Sequence, residues 1–138
     1  KLVDGGQQRR SFTDITDGIS ALIKIIENKE GIATGKIYNI GNPSNDLSIK
    51  DIAELMLDIA REFPEYRAGA EKVNLIEVSS EDYYGKGYQD MKTRVPFIGN
   101  TKEDLDWSPK MTVRDALKGI FEAYRHEVAD ARALIDND

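Results

Sequence analysis

GKIYNIGNPSNDLSIKDIAELM, residues 35–56, decides the fold class. Its first part, KIYNIG, carries the β-branched and aromatic residues of a short strand and stops at Gly41. NPSNDLS reads as a polar loop, with Ser48 three residues ahead of Asp51 in the pattern of a capping box made with the shorter acid. From Ile49 the apolar residues recur at helical spacing, so IKDIAELMLDIAREF is predicted to be an amphipathic helix that Pro64 helps to end. A strand passing through a polar loop into a helix is the unit of an α/β protein.

The reading extends outward in both directions. Upstream, TDITDGISALIKIIEN (13–28) sets Ile15, Ile19, Leu22, Ile23 and Ile26 on one stripe, which predicts a helix burying that face. Before it, KLVDGGQQRRSF holds a Gly-Gly turn between polar residues. Downstream, VNLIEV (73–78) alternates as a half-buried strand and leads into a loop over 79–96 with three tyrosines, two glycines and Arg94. NTKEDLDWSPK is predicted to be a short helix capped by Asn100 or Thr101 and stopped near Pro109, pinned by Leu105 and Trp107. The longest helix is expected from Thr112 through Ile135. Two strands make a thin sheet for so many amphipathic helices, because an isolated pair is marginal without further strands or covering helices.

Composition narrows the function. The 138 residues suit one folded domain, 40% hydrophobic and 32% charged. Without cysteine, the chain has neither disulfides nor a thiolate metal site or nucleophile, and the lone His126 cannot make a metal site by itself, so no metal is expected. No apolar run reaches the roughly 20 residues of a membrane span, and KLVDGG lacks a signal peptide's apolar core, so a cytoplasmic protein away from membranes is expected. A net charge of −6 disfavours nucleic acid. The first ten residues are net positive, which suits a small anion.

Several residues carry candidate chemistry. Arg9 and Arg10 could fork onto a phosphate, although adjacent arginines more often stand in solvent. Gly85 and Gly87 let the main chain approach a ligand while Tyr83, Tyr84 and Tyr88 offer rings and hydroxyls; the same loop could instead fold its rings onto the core. Arg94 precedes Val95-Pro96 in a stretch that proline holds extended, which fixes where its guanidinium points, whether to a ligand or to a surface ion pair. The carboxylate pairs Glu81/Asp82 and Asp104/Asp106 lack a third ligand and read as solvated turns, and Ser79 and Ser80 lack a histidine base. Neither DGGQQRR nor IGNPSN has the glycine spacing of a dinucleotide-binding turn.

RSFTDITDGISALIKIIEN, GKIYNIGNPSNDLSIKDIAELM and DLDWSPKMTVRDALKGIFEAYR, in that order, resemble the C-terminal substrate-binding part of extended short-chain dehydrogenase/reductases that act on nucleotide sugars. KLVDGGQQRRSFTD and YYGKGYQDMKTRVPFIGN further resemble the UDP-glucuronic acid decarboxylases that form half of the bifunctional polymyxin-resistance proteins. The resemblance runs from Lys1 to about Tyr124 and implies a helical, small-sheet substrate lobe without its Rossmann part. It implies Lys1, Gln8 and Arg10 as uridine and phosphate contacts, Tyr88 on the sugar nucleotide, and Arg94 as the family's proton donor. The implied reaction oxidises UDP-glucuronate with NAD and decarboxylates it to a UDP-4-keto-pentose for lipid A modification. The NAD site and the tyrosine-lysine pair belong to a region preceding Lys1, so residues 1–138 are expected to be one UDP-sugar-binding lobe of a longer, homo-oligomeric enzyme and inactive alone. Another UDP-sugar epimerase, a UDP-xylose-forming decarboxylase, or a non-catalytic interaction module built on this lobe are the rival readings.

Overall fold

The computed structural model describes residues 1–88 and 90–135. The chain divides into two compact units: residues 1–6, 50–88 and 114–138 form the first, residues 7–49 and 89–113 the second.

In the second unit the centre is a three-stranded sheet. β2 (Arg9–Ser11) lies between β3 (Asp46–Ser48), antiparallel to it, and β5 (Thr93–Arg94), parallel to it. α1 (Ile15–Glu27) starts at Asp14, whose carboxylate accepts from the Thr16 amide, and ends at Asn28 in the left-handed conformation. α5 (Gly99–Leu105) packs with it: Ala21, Ile98, Leu105 and Trp107 form a buried cluster, with Ile25, Ala33, Tyr38 and Ile40 against its edge. Leu105 and Trp107 thus anchor their segment as expected, and the indole N–H donates to Ser20 Oγ at 2.8 Å.

The first unit pairs β1 (Leu2–Val3) in parallel with β4 (Glu77–Val78). Around this pair lie α2 (Ile49–Glu62), α3 (Pro64–Ala70), α4 (Ser80–Tyr84), α6 (Val113–Tyr124) and α7 (Val128–Ile135). Proline fits the first turn of α3, where its missing N–H costs nothing, and Phe63 just before it is buried. Phe63 stacks on Phe121, while Tyr66 meets both rings edge-on and donates its hydroxyl to the Phe121 carbonyl at 3.0 Å. Glu62 bonds Arg114 and Lys118, ion pairs that tie α2 to α6.

Several expectations need correction. Among the described residues the strand expected over 36–41 forms no ladder. Its backbone is held instead by side chains of the same unit: Asn100 Nδ2 donates to the Ile37 carbonyl at 2.9 Å, and Thr101 Oγ1 donates to the Asn39 carbonyl at 2.7 Å. Those same side chains are therefore not helix caps; α5 begins after Ile98, without a side-chain cap, and ends at Asp106 in the left-handed region, short of Pro109. Of VNLIEV only the last two residues pair. Four further strands, β1, β2, β3 and β5, lie in stretches read as turn or loop, because pieces of two or three residues are too short to show alternation. The isoleucine stripe of α1 faces outward, with Ile15 71% and Ile26 81% exposed. The helix packs through the opposite side, where Ala21 allows close approach and Asp17 finds backbone donors. The expected longest helix is broken at Arg125–Glu127 by a short 3₁₀ turn, which leaves α2 as the longest described helix at 14 residues.

Candidate functional site

β2 carries two consecutive arginines, and the alternation of a strand sends them to opposite faces. Arg9 turns to β3: its Nε donates to Asp46 Oδ2 at 2.9 Å and its Nη2 to the Asp46 carbonyl at 2.7 Å. Arg10 turns to the segment before β5. Its Nη2 donates to both oxygens of Asp90, at 2.7 and 2.6 Å, and its Nη1 to the carbonyls of Met91 and Arg9, at 2.9 and 2.8 Å. Gln8, just ahead, accepts the Ile49 amide at its carbonyl, 3.0 Å away.

Arg94 is the register partner of Arg10 across the parallel ladder. Side chains at paired positions of neighbouring strands leave the same face, so two guanidinium stems rise side by side at a strand spacing of about 4.8 Å. Both terminal nitrogens of Arg10 are engaged with internal acceptors. Arg94 is exposed and makes no ion pair among the described residues.

Downstream of β5 the backbone is held by a close approach. A Cβ on Gly41 would stand 2.5 Å from Pro96 Cγ, so the proline ring occupies the space a side chain would need. Asn39 adds a bond from its Nδ2 to the Phe97 carbonyl at 3.0 Å. Nothing in the sequence marks Gly41 for this role beyond its place at the end of an apolar run.

The tyrosine loop builds its own structure in the first unit. Ser79 caps α4, its Oγ accepting from the Asp82 amide at 3.1 Å, and the Ser80 amide donates to Asp4 at 2.8 Å. Gly85 ends this turn of helix at φ 94°, a conformation that excludes most side chains, and the chain folds back so that Tyr88 stacks on Tyr84 with centroids 4.1 Å apart. Tyr83 meets Tyr84 edge-on at 4.8 Å, and the Lys1 ammonium lies 6.0 Å from the Tyr83 ring centre. The rings pack on one another and stay half exposed. They form an open aromatic platform with a cation at its rim, rather than a cover for the core. The structure thus groups Lys1 with the tyrosines in one unit, and Gln8, Arg10 and Arg94 in the other.

Some residues that organise the second unit went unmarked in the sequence. Asp17, buried on α1, accepts the Lys110 and Met111 amides with both carboxylate oxygens. Asn42 and Asn45, also buried, both donate to the Met111 carbonyl at 3.0 Å. Asp104, read as a solvated carboxylate, takes a 2.8 Å bond from Lys36 and a 2.9 Å bond from the Tyr38 hydroxyl. The Lys36 bond, then the Tyr38 bond, holds its carboxyl below the usual range, and the same contact raises Lys36. Tyr38 is raised first by desolvation and then by the bond to Asp104. Among the described residues no cluster of His, Asp and Glu is arranged to hold a metal, and no helix is long and apolar enough to cross a membrane.

A model of the NAD dependent epimerase/dehydratase family matches residues 1–41. The crystal structure of PbgP3 protein from Burkholderia pseudomallei is 55% identical to the chain, with a TM-score of 0.81, over 96% of the chain and 36% of PbgP3. RMD from Pseudomonas aeruginosa, solved in complex with NADPH, shares the fold at 19% identity and a TM-score of 0.63, over 88% of the chain and 34% of RMD. The chain thus spans about a third of the length of either relative. Its first 41 residues thus match the NAD dependent epimerase/dehydratase family, and nearly the whole chain is similar to the matching third of PbgP3, which supports a fragment of an enzyme of the extended short-chain dehydrogenase/reductase type.

Proposed function

We propose that this chain supplies the substrate side of an NAD-dependent enzyme that oxidatively decarboxylates UDP-glucuronate to a UDP-4-keto-pentose, the step that feeds aminoarabinose modification of lipid A. One observation carries the reading: Arg94 stands exposed and makes no ion pair among the described residues, in a register fixed by β2, while both terminal nitrogens of its neighbour Arg10 are engaged. High identity to PbgP3 over nearly the whole chain supports it.

Oxidation at the sugar C4 requires a nicotinamide. The described residues do not form its site, because the Gly5-Gly6 turn is followed by strand β2 and not by the N-terminus of a helix. What these residues can do begins with the β-keto acid. When its carboxylate leaves as carbon dioxide, the electron pair of the broken C–C bond passes into the ketone and forms an enolate. A guanidinium beside that oxygen stabilises the charge as it develops. Arginine stays protonated at any working pH, so Arg94 serves as an electrostatic partner to the carboxylate and the enolate, and the proton that restores the ketone comes from another acid or from water. Tyr88 and the neighbouring rings offer stacking faces, and Lys1 a cation for the diphosphate.

In the complete polypeptide, Arg94→Ala is expected to slow carbon dioxide release about 100-fold or more while UDP affinity changes less than about threefold. Turnover equal to the unmutated enzyme would take Arg94 out of the chemistry.

A further inference from the structure

Past Arg94 the chain leaves the sheet and runs over residues 39–41. Resting on the reading of Arg94 just given, we infer that Asn39 and Gly41 form a seat for Pro96 and Phe97 that sets where Arg94 stands, so that both are positioning residues for the decarboxylation.

The stretch 93–97 has little of its own to hold it. β5 gives two residues to its ladder with β2, and the end of so short a ladder frays unless something tethers it. Of the side chains over 93–97 only that of Pro96 is not exposed; Val95 and Phe97, 41% and 76% exposed, are too open to fix the backbone. The seat supplies the tether. The Pro96 ring takes the space that a side chain at position 41 would need, its Cγ 2.5 Å from where a Cβ would stand, and Asn39 Nδ2 donates to the Phe97 carbonyl at 3.0 Å.

The seat is itself anchored. Tyr38 and Ile40 pack against the cluster of Ala21, Ile98, Leu105 and Trp107, and the alternate positions, 39 and 41, are the ones that meet Phe97 and Pro96. The Asn39 carbonyl accepts the hydroxyl of the fully buried Thr101 at 2.7 Å. Just past Gly41, the Asn42 amide donates to Thr13 Oγ1 at 3.1 Å and the Asn42 side chain to the Met111 carbonyl at 3.0 Å. Arg94 therefore stands two residues from a contact that cannot give. A misplacement of about 1 Å at a group that meets developing charge can cost about 100-fold in rate, so the seat bears on kcat more than on binding.

The test is made in the complete polypeptide, with Arg94→Ala alongside. Gly41→Ala pushes the proline ring from its place. Asn39→Ala removes the donor without adding bulk or charge, and because Asn39 is exposed it carries the test should Gly41→Ala fold poorly. For each, kcat for carbon dioxide release is expected to fall about tenfold or more while the KM for UDP-glucuronate and the Kd for UDP stay within about threefold. Amide exchange over 93–97 should quicken about tenfold or more while α1 and α5 keep their protection, a change that general unfolding would not give. Adding Pro96→Ala to Gly41→Ala returns the volume that the methyl takes, and should recover about fivefold or more of the lost kcat. Full kcat in both seat variants beside a slow Arg94→Ala enzyme overturns the seat alone. So does a loss of kcat with exchange over 93–97 unchanged, or UDP binding weakened about tenfold in either seat variant. A fully active Arg94→Ala enzyme overturns the reading of Arg94 on which the seat rests.

Discussion

Asp17 sits on the side of α1 that the isoleucines leave free, and its carboxylate accepts the Lys110 and Met111 amides at 2.9–3.0 Å. Replacing it with alanine strands two N–H groups in a buried place, and hydrogen bonds to a charged acceptor contribute about 1.5–3 kcal/mol each. Asp17→Ala is therefore expected to lower unfolding free energy by about 3–6 kcal/mol in urea titrations, with Asp17→Asn intermediate because one oxygen remains. Gly41 offers a second check, since an added methyl would meet the rigid Pro96 ring; Gly41→Ala should cost about 1–3 kcal/mol. Gly99 is also tight, but the atoms it would meet belong to the exposed and movable ring of Phe97. In sequence, Asp17 reads as one more polar residue in a helix, because its partners lie more than 90 positions away.

α1 shows how periodicity can identify an element and mislead about its orientation. Its apolar stripe predicts a helix, and a helix is found, but two faces of α1 can be buried and this unit uses the one with Ala21 and Asp17. Ile19→Lys should consequently change the stability of the 138-residue chain by no more than about 0.5 kcal/mol, whereas Leu105→Ala in the core beneath should cost about 2–5 kcal/mol; chemical denaturation of the two variants separates them. The apolar run 36–41 makes the same point. Ile37 is 88% exposed, and the segment has strand composition without ladder partners in its unit, so Asn39, Asn100 and Thr101 take over the bonding a ladder would have supplied. α2, by contrast, begins directly after Ser48 and carries Asp51 in its first turn, as its sequence indicates, because a helix start is settled by neighbours within one turn.

Ionisation ties distant parts of the fold to pH. Asp104 is held below its ordinary value, so its contribution is present above the aspartate range, about 4, and is lost as pH falls through the lowered value. Lys36 is raised, so its contribution is present below the ordinary lysine value, about 10.4, and is lost as pH rises through the raised one. The stability deficit of Asp104→Asn should thus be level from about pH 5 to 10 and should shrink below pH 4, which thermal unfolding across pH will show; a deficit that persists undiminished into strong acid would mean the lost contact is not ionic. Glu62, lowered first by its bond to Lys118, predicts the same acid limb for α2 and α6. By itself the sequence determined that this is an α/β chain, where α1, α2 and α5 lie, and which aromatic and basic residues gather in the loop over 79–96. These follow from contacts within a turn or two of the backbone, and from the resemblance that its motifs carry. Only the tertiary structure decided which face of α1 is buried, which polar runs pair as strands, and that Arg10 turns its guanidinium to Asp90, eighty residues on, while Arg94 makes no ion pair among the described residues. Ladder partners and ion pairs depend on which distant segments the packed core brings together, and no local pattern of residues encodes that.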